Sequence, residues 1–484
     1  MRTATVVLAV MIAMLVPATV RAQNLAAVLP TALENGVTMT SSVAVAGNPH
    51  EAHFIAALGA GSQPWPAINK LIVEQVNTFP IGSSSGGFVF TFDPATGLFK
   101  PASQSFGSTF AERALTNGRG RWGFGLNYQH LEFKSFEGVD LQNGSFQYVL
   151  QHNDCCAVAG NPTPDPEDPF FEGDVVNMAL SLQIKSDVVD PFVSYGVTSR
   201  WDVGVVVPIV KVQLSPTVTS TIVRLSTAAN PLIHSWDGNG QTTKIFPTLG
   251  GSASGIGDVL LRTKYRFVDF EQGGLAAGLE VRLPTGDKEN LLGTGGVQTK
   301  LLFIASGEVA RVSPHVNVGY TFSHGEISSA AVTLPTTPLS GSSTTANAAT
   351  AGQINSEAGI PLADTHLSNE FNYVGGVDVA VHSLLTVSGD LVGRTLMDSQ
   401  RFAMVAQNFQ FRTANNGALQ STSIPTFTNT GSGSLNTLLG VVGAKFNIPG
   451  TSLLLTGNVL FPLTDAGLRA KVTPVVGLDY SFGK

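Results

Sequence analysis

Beyond its first residues the sequence has no apolar run of the length, about eighteen residues, that a membrane-crossing helix needs. A helical membrane protein is thereby excluded. Charge is scarce too: Asp, Glu, Lys and Arg make up 13% of the chain, roughly half the usual share. The formal net charge is −7, without the basic excess of a nucleic-acid binder, so no nucleic-acid partner is expected. Cysteine is nearly absent. Cys155 and Cys156 are adjacent, a spacing that strains a mutual disulfide, and no third cysteine offers a partner. The pair reads as part of a solvated loop.

What is plentiful is glycine, 52 residues, and apolar residues, 43% of the chain but dispersed. That mixture fits a protein with two apolar-contact surfaces and many turns. At the start, Arg2 precedes an apolar run from Ala4 to Val16, and Pro17 breaks it. Val20-Arg21-Ala22 then offers small or aliphatic residues at the positions that a signal peptidase reads, so residues 1–22 are expected to be a secretory signal cleaved after Ala22. Export without a spanning helix leaves a soluble exported protein or a β-barrel.

From about Arg119 onward, apolar and polar or small residues alternate. Trp122, Phe124, Leu126 and Tyr128 stand against Arg121, Gly123, Gly125, Asn127 and Gln129. Val259, Leu261, Tyr265 and Phe267 stand against Arg262, Lys264 and Arg266, and Ala277, Leu279, Val281 and Leu283 against Gly278, Glu280 and Arg282. Such segments reach the roughly 9–11 residues that a tilted strand needs to cross a bilayer. Strands are predicted near 119–134, 172–197, 201–223, 257–270, 274–284, 296–305, 313–324, 370–382, 384–397, 435–448, 451–461 and 472–482. Their connections alternate between short turns and stretches that are mostly long: 135–171, 224–256, 285–295, 325–369, 398–434 and 462–471. That asymmetry marks a transmembrane barrel with both ends on one side. The fold class expected is therefore all-β: an antiparallel transmembrane barrel of twelve strands over residues 119–484. Fourteen strands stay open if Leu141 to His152, or the stretch around Lys185 to Phe192 where the alternation falters at Pro191, folds back.

Residues 23–118 read differently. Ile68, Leu71, Ile72, Val76 and Phe79 fall at helical spacing after Pro66, and Phe110 to Thr116 reads as a second short helix. A segment of this size is expected to form an N-terminal plug with short helices, inside or beneath the barrel. At the other end, Gly477, Tyr480 and Phe482 place a glycine and two aromatics at strand spacing, as in the last-strand assembly signal of outer-membrane barrels.

Several blocks resemble the outer-membrane family labelled "MetA-pathway of phenol degradation": SFGSTFAERALTNGRGRWGFGLNYQH (105–130), YGVTSRWDVGVVVPIV (195–210), SGIGDVLLRTKYRF (254–267), LEVRLPTGDKENLLGTG (279–295), EFNYVGGVDVAV (370–381) and VTPVVGLDYSFG (472–483). The resemblance implies a bacterial outer-membrane transporter that takes up small hydrophobic or aromatic compounds. It implies lipid, lipopolysaccharide and the barrel assembly machinery as partners, and a small hydrophobic ligand. The alternatives are a structural barrel that transports nothing and a barrel hydrolase.

Chemistry motifs are weak. Gly82-x-Ser84-x-Gly86 fits the hydrolase elbow but lacks a strand before it and a helix after it. His130, His315 and His382 lie on or near strands without a serine in register. Asp165, Glu167, Asp168, Glu172 and Asp174, and Asp287 with Glu289, match no calcium loop. No catalytic residue, metal or cofactor is therefore expected. A charge on the lipid face near the midplane costs about 2–4 kcal/mol. Arg262, Lys264, Arg266, Glu280, Arg282, Asp378, Asp390 and Arg394 are accordingly expected to face the lumen, with Lys300, Lys445 and Asp479 in similar phases.

Overall fold

The computed structural model describes residues 24–35, 54–56, 64–77, 82–83, 87, 90–93, 98–101, 103–152, 170–247, 250–270, 273–327, 366–414 and 417–482. The expected signal segment, the cysteine pair, Ser84 and the acidic residues 165–168 lie outside them.

Among the described residues, twelve antiparallel strands close into a barrel. They are β1 (Trp122–Phe136), β2 (Val175–Gly196), β3 (Trp201–Val206 continued by Ile209–Val223), β4 (Gly251–Ile256 continued by Leu260–Phe270), β5 (Gly273–Arg282), β6 (Gly296–Gly307), β7 (Val312–Gly325), β8 (Glu370–His382), β9 (Leu385–Phe411), β10 (Gln420–Asn447), β11 (Leu453–Pro462) and β12 (Thr473–Phe482). Each pairs with its sequence neighbour, and β12 closes on β1 with Phe482 opposite Trp122 and Val475 opposite Gln129. Closure removes the open edge that a bilayer would not tolerate.

Outward side chains form the lipid-facing band. Leu261, Tyr265, Leu301, Phe303, Val316, Leu391, Val442, Val459 and Val476 are all exposed apolar residues. Aromatic girdles rim it. Phe124 stacks on Phe482 at 5.4 Å and Trp122 meets Tyr195 at 4.6 Å on the short-turn side; Tyr320 meets Phe322 at 4.8 Å on the other.

The alternation does not falter at Pro191. β2 keeps one phase throughout, with even-numbered residues buried from Val176 to Gly196. What changes is the polarity of each face. Tyr128, Val189 and Ile209 sit side by side on β1, β2 and β3 as the last outward residues of the apolar band. The next row outward is His130, Asp187 and Lys211. Asp187 accepts a hydrogen bond from Tyr128 Oη and contacts His130 Nδ1, each at 2.8 Å. On the inner face of β1, Asn127 and Gln129 give way to Leu131 and Phe133 at the same level. Below this line the wall is apolar outside and polar inside, as lipid requires. Above it the wall is polar outside and apolar inside, as in a soluble protein.

The part above the line is larger than the sequence pattern indicated. Within 398–434, expected as a loop, residues 398–411 and 420–434 continue β9 and β10 as paired strands with Phe402 opposite Asn429 and Phe411 opposite Gln420. Phe146–His152 does not add a wall strand; it pairs with the upper part of β2, from Leu180 down to Val175. The inner faces enclose a cluster of Phe136, Phe146, Phe402 and Phe427, with Phe146 and Phe427 centroids 4.5 Å apart. Into the same core pack α1 (Val28–Asn35) and α2 (Pro64–Val76), preceded by a turn at Leu25–Ala27 that Asn24 caps at 3.2 Å. The apolar stripe of α2, Ile68, Leu71, Ile72 and Val76, is buried there together with Leu25 and Leu29.

Residues 110–116, expected as a helix, are not one. A helix would need their N–H groups internally. Instead the wall takes them: Glu112 N–H donates to Asn317 Oδ1 at 2.7 Å and Ala114 N–H to Ser306 Oγ at 3.0 Å.

Candidate functional site: the lumen, its inner belt and the wall seam

Residues 103–117 run across the lumen as an extended belt, fastened by inward side chains of many strands. Ser105 Oγ meets Ser313 Oγ at 2.8 Å, and Phe106 N–H donates to Thr386 Oγ1 at 3.0 Å. Ser108 Oγ donates to Asp390 at 2.6 Å, Asn458 Nδ2 to Thr109 Oγ1 at 3.0 Å, and Asn117 N–H to Asp202 at 2.9 Å. Asn317 also donates to the Glu112 carbonyl at 2.8 Å, so one side chain binds this residue as a neighbouring strand would. With Asn117 Nδ2 donating to Ser194 Oγ at 3.0 Å and Ala114 on Ser306, these attachments reach β2, β3, β6, β7, β9 and β11, and each satisfies a buried polar group that lipid-facing strands leave inside.

The charged residues singled out in the sequence are engaged with one another, with other side chains of the wall, with the belt or with backbone carbonyls. Arg262 and Glu280 are direct partners across β4 and β5, with Arg262 Nε 2.9 Å from Glu280 Oε1. Lys300 reaches the same carboxylate at 3.6 Å. Lys264 binds Glu112 of the belt at 3.1 Å. Arg282 donates to the Asn77 carbonyl at the end of α2, and Arg394 pairs with Glu370. Asp378 and Asp390 flank His315 at 3.4 and 2.6 Å. Arg266 lies apart, at the short-turn rim, on Asp269 and the Gly273 carbonyl. Lys445 and Asp479 pair at 3.7 Å.

The aromatics of the last strand, Tyr480 and Phe482, face lipid, whereas Gly477 faces inward. A Cβ at Gly477 would stand 2.3 Å from Asn127 Oδ1, so this glycine admits the Asn127 side chain at the closure of the barrel.

Sequence reasoning missed two things. His315 was weighed only as a hydrolase residue. Its partners are two carboxylates, and Ser108 donates to Asp390 rather than to the imidazole, so nothing here resembles a nucleophile and its base. Arg469, assigned to a loop, is a buried cation on the short strand Leu468–Ala470.

Two cavities flank these groups. One of about 920 Å³, part of it open to solvent, lies between the belt and β4–β9 and is lined by Arg262, Glu280, Lys300 and Arg394. The second, about 460 Å³ counting the part open to solvent, lies above the belt beside α2 and is mainly apolar: Leu131, Phe133, Leu439, Leu460, Leu468 and Ala470. Arg394 belongs to both.

The second cavity adjoins a discontinuity in the wall. Ala470 pairs with Phe133, and the next registered pair is Val475 with Gln129. Residues 471–474 therefore pass residues 130–132 unregistered, at the water line, where β12 meets β1. The wall near Pro191 is better stitched: Val207 N–H donates to the Pro191 carbonyl at 3.1 Å and Gly257 N–H to the Pro208 carbonyl at 2.8 Å.

No protein-family model matches the chain, and no curated relative does. Among solved structures, the chain is similar to the COG4313 outer membrane channel from Pseudomonas putida F1, at 11% identity over 76% of this chain and 98% of that one, TM-score 0.39. It is also similar to a Pseudomonas aeruginosa FadL homologue, 11% identical over 84% and 98% of the chains, TM-score 0.30. A third is the Ralstonia pickettii toluene transporter TbuX, 12% identical over 75% and 90%, TM-score 0.26. These superpositions are loose, and the strand register and lipid-facing band stand without them. The protein is a closed β-barrel with a lipid-facing band.

Proposed function

We propose that this barrel is a channel for small hydrophobic molecules, aromatic rings among them, with residues 23–118 as its plug. The observation that carries this reading is the apolar cavity behind the seam between β1 and β12. It lies above the polar belt, on the side of the molecule whose interior is apolar. A hydrophobic solute entering from the long-loop side would rest among Leu131, Phe133 and Leu460 and leave sideways into the bilayer. It would never cross the charged lower lumen, where desolvated ion pairs offer it nothing. The belt stays in place, held from many strands of the wall. The seam, rather than the wall near Pro191, is the exit we favour, because fewer backbone hydrogen bonds close it. Lipid and lipopolysaccharide would surround the band, and the assembly machinery would read the last strand. The test is toluene entry into vesicles whose outer leaflet is lipopolysaccharide, which slows free diffusion. Entry should rise with the protein present. Equal entry with and without it would leave a structural barrel.

A further inference from the structure

We infer that the seam cavity is a binding site for a small hydrophobic molecule bearing a carboxylate, with Arg469 as the anchor. The inference rests on the channel reading above and narrows its solute. Arg469 lines the cavity and is only 7% exposed. Among the described residues no carboxylate lies within 4.0 Å of it, and its Nε has no hydrogen-bond partner. Its Nη2 donates to Thr464 Oγ1 at 2.8 Å. A buried guanidinium left this way is costly unless something else supplies the charge. The neighbouring acids, Asp465 and Glu137, attract it only from beyond 4.0 Å. Glu137 is held by Arg401 at 2.9 Å, Glu370 is held by Arg394, and Asp465 is exposed on the loop. Arg394 lines the same cavity and is itself paired with Glu370.

The rest of the lining is apolar, with Thr437 and Gln75 beside the cations. Apolar walls with a few convergent polar groups are the usual build of a small-molecule site. A planar guanidinium presents paired donors that match a carboxylate in geometry as well as charge. Burial, with repulsion from Arg394 second, pushes Arg469 down to about 10, so it remains a cation at neutral pH. A single-ring aromatic acid satisfies both ends: the ring among Leu131, Phe133 and Leu460, the carboxylate on Arg469.

The experiment titrates benzoate, toluene and benzylamine into the full-length protein in neutral detergent by calorimetry. Benzoate should bind saturably and at least tenfold more tightly than either of the others. R469M should weaken benzoate at least tenfold and leave toluene unchanged, and R469K should recover part of the loss. Benzoate binding no better than toluene, or binding indifferent to R469M, overturns the inference. Should R469M fail to fold, Leu460→Trp fills the apolar end while leaving the guanidinium. Benzoate binding must then vanish, and its persistence overturns the site. The titration needs no passage across a membrane. Its failure therefore leaves toluene entry standing, and a failure of toluene entry leaves the titration intact.

Discussion

The two halves of the wall solve opposite problems with the same strands. Below the line from Tyr128 to Ile209, lipid demands apolar residues outside, so polar ones crowd the lumen and need partners. The belt at residues 103–117 supplies them, through Ser108 on Asp390 and Glu112 on Lys264. Above the line, water demands polar residues outside. The lumen there is apolar, and α1 and α2 fill it through Leu29, Leu71 and Ile72. The lesson is that one N-terminal segment fits both halves because it changes character with height, polar where the wall is polar inside and amphipathic where it is not.

That contrast can be broken most severely at the closure of the lower half. Deleting residues 477–484 removes the edge that pairs with Trp122 to Asn127 and leaves β1 and β11 unpaired in lipid. No heat-modifiable, membrane-inserted barrel should form; normal gel mobility of the truncated chain would count against the register described here. In the upper half the largest effect should come from Phe427→Ala. This ring is fully buried against Phe146 and Phe402, and its loss should cost about 3–5 kcal/mol of unfolding free energy. A cost near zero would mean that the upper core is not packed.

A milder pair sharpens the boundary itself. Val193 and Gln183 both point outward on β2, on opposite sides of the water line. Val193→Lys should destabilise insertion by about 2–4 kcal/mol near the midplane, whereas Gln183→Lys should stay within about 0.5 kcal/mol of the parent. Equal effects would erase the line. The smallest effect concerns Glu74 on α2. Burial raises its carboxyl above the ordinary value, outweighing Lys70, the Ser368 hydrogen bond and Arg394. A carboxyl with a raised folded-state pKa favours the folded state most at low pH, and that contribution fades as pH rises through the folded value. Glu74→Gln should therefore leave the melting temperature unchanged at low pH and raise it slightly at alkaline pH; a drop at alkaline pH would oppose this.

Much of the wall was legible because alternation and turn residues are local. The paired charges Arg262 and Glu280 were already placed on neighbouring strands, and the register puts them opposite each other. The upper hairpin was not legible. Thr426, Thr428, Thr430, Ser432 and Ser434, spaced by Gly431 and Gly433, look like loop composition, although threonine suits a strand whose partner is fixed elsewhere. The exchange of polarity along β2 looked like lost phase, because alternation read from one strand cannot tell a shifted register from a changed solvent. His315 finds its carboxylates on β8 and β9, a proximity that only strand register creates. Arg469 and the seam depend on a break in that register, which leaves no mark in composition.

The central claim is that solutes leave through the seam while the belt stays fixed. Ser105 and Ser313 have their hydroxyls in contact at 2.8 Å, one on the belt and one on β7. Replacing both with cysteine and oxidising the pair locks the belt to the wall. Toluene entry into lipopolysaccharide-faced vesicles should then match that of the reduced protein. Entry that falls to background on oxidation and returns on reduction would show that the belt must move, and would contradict the sideways route.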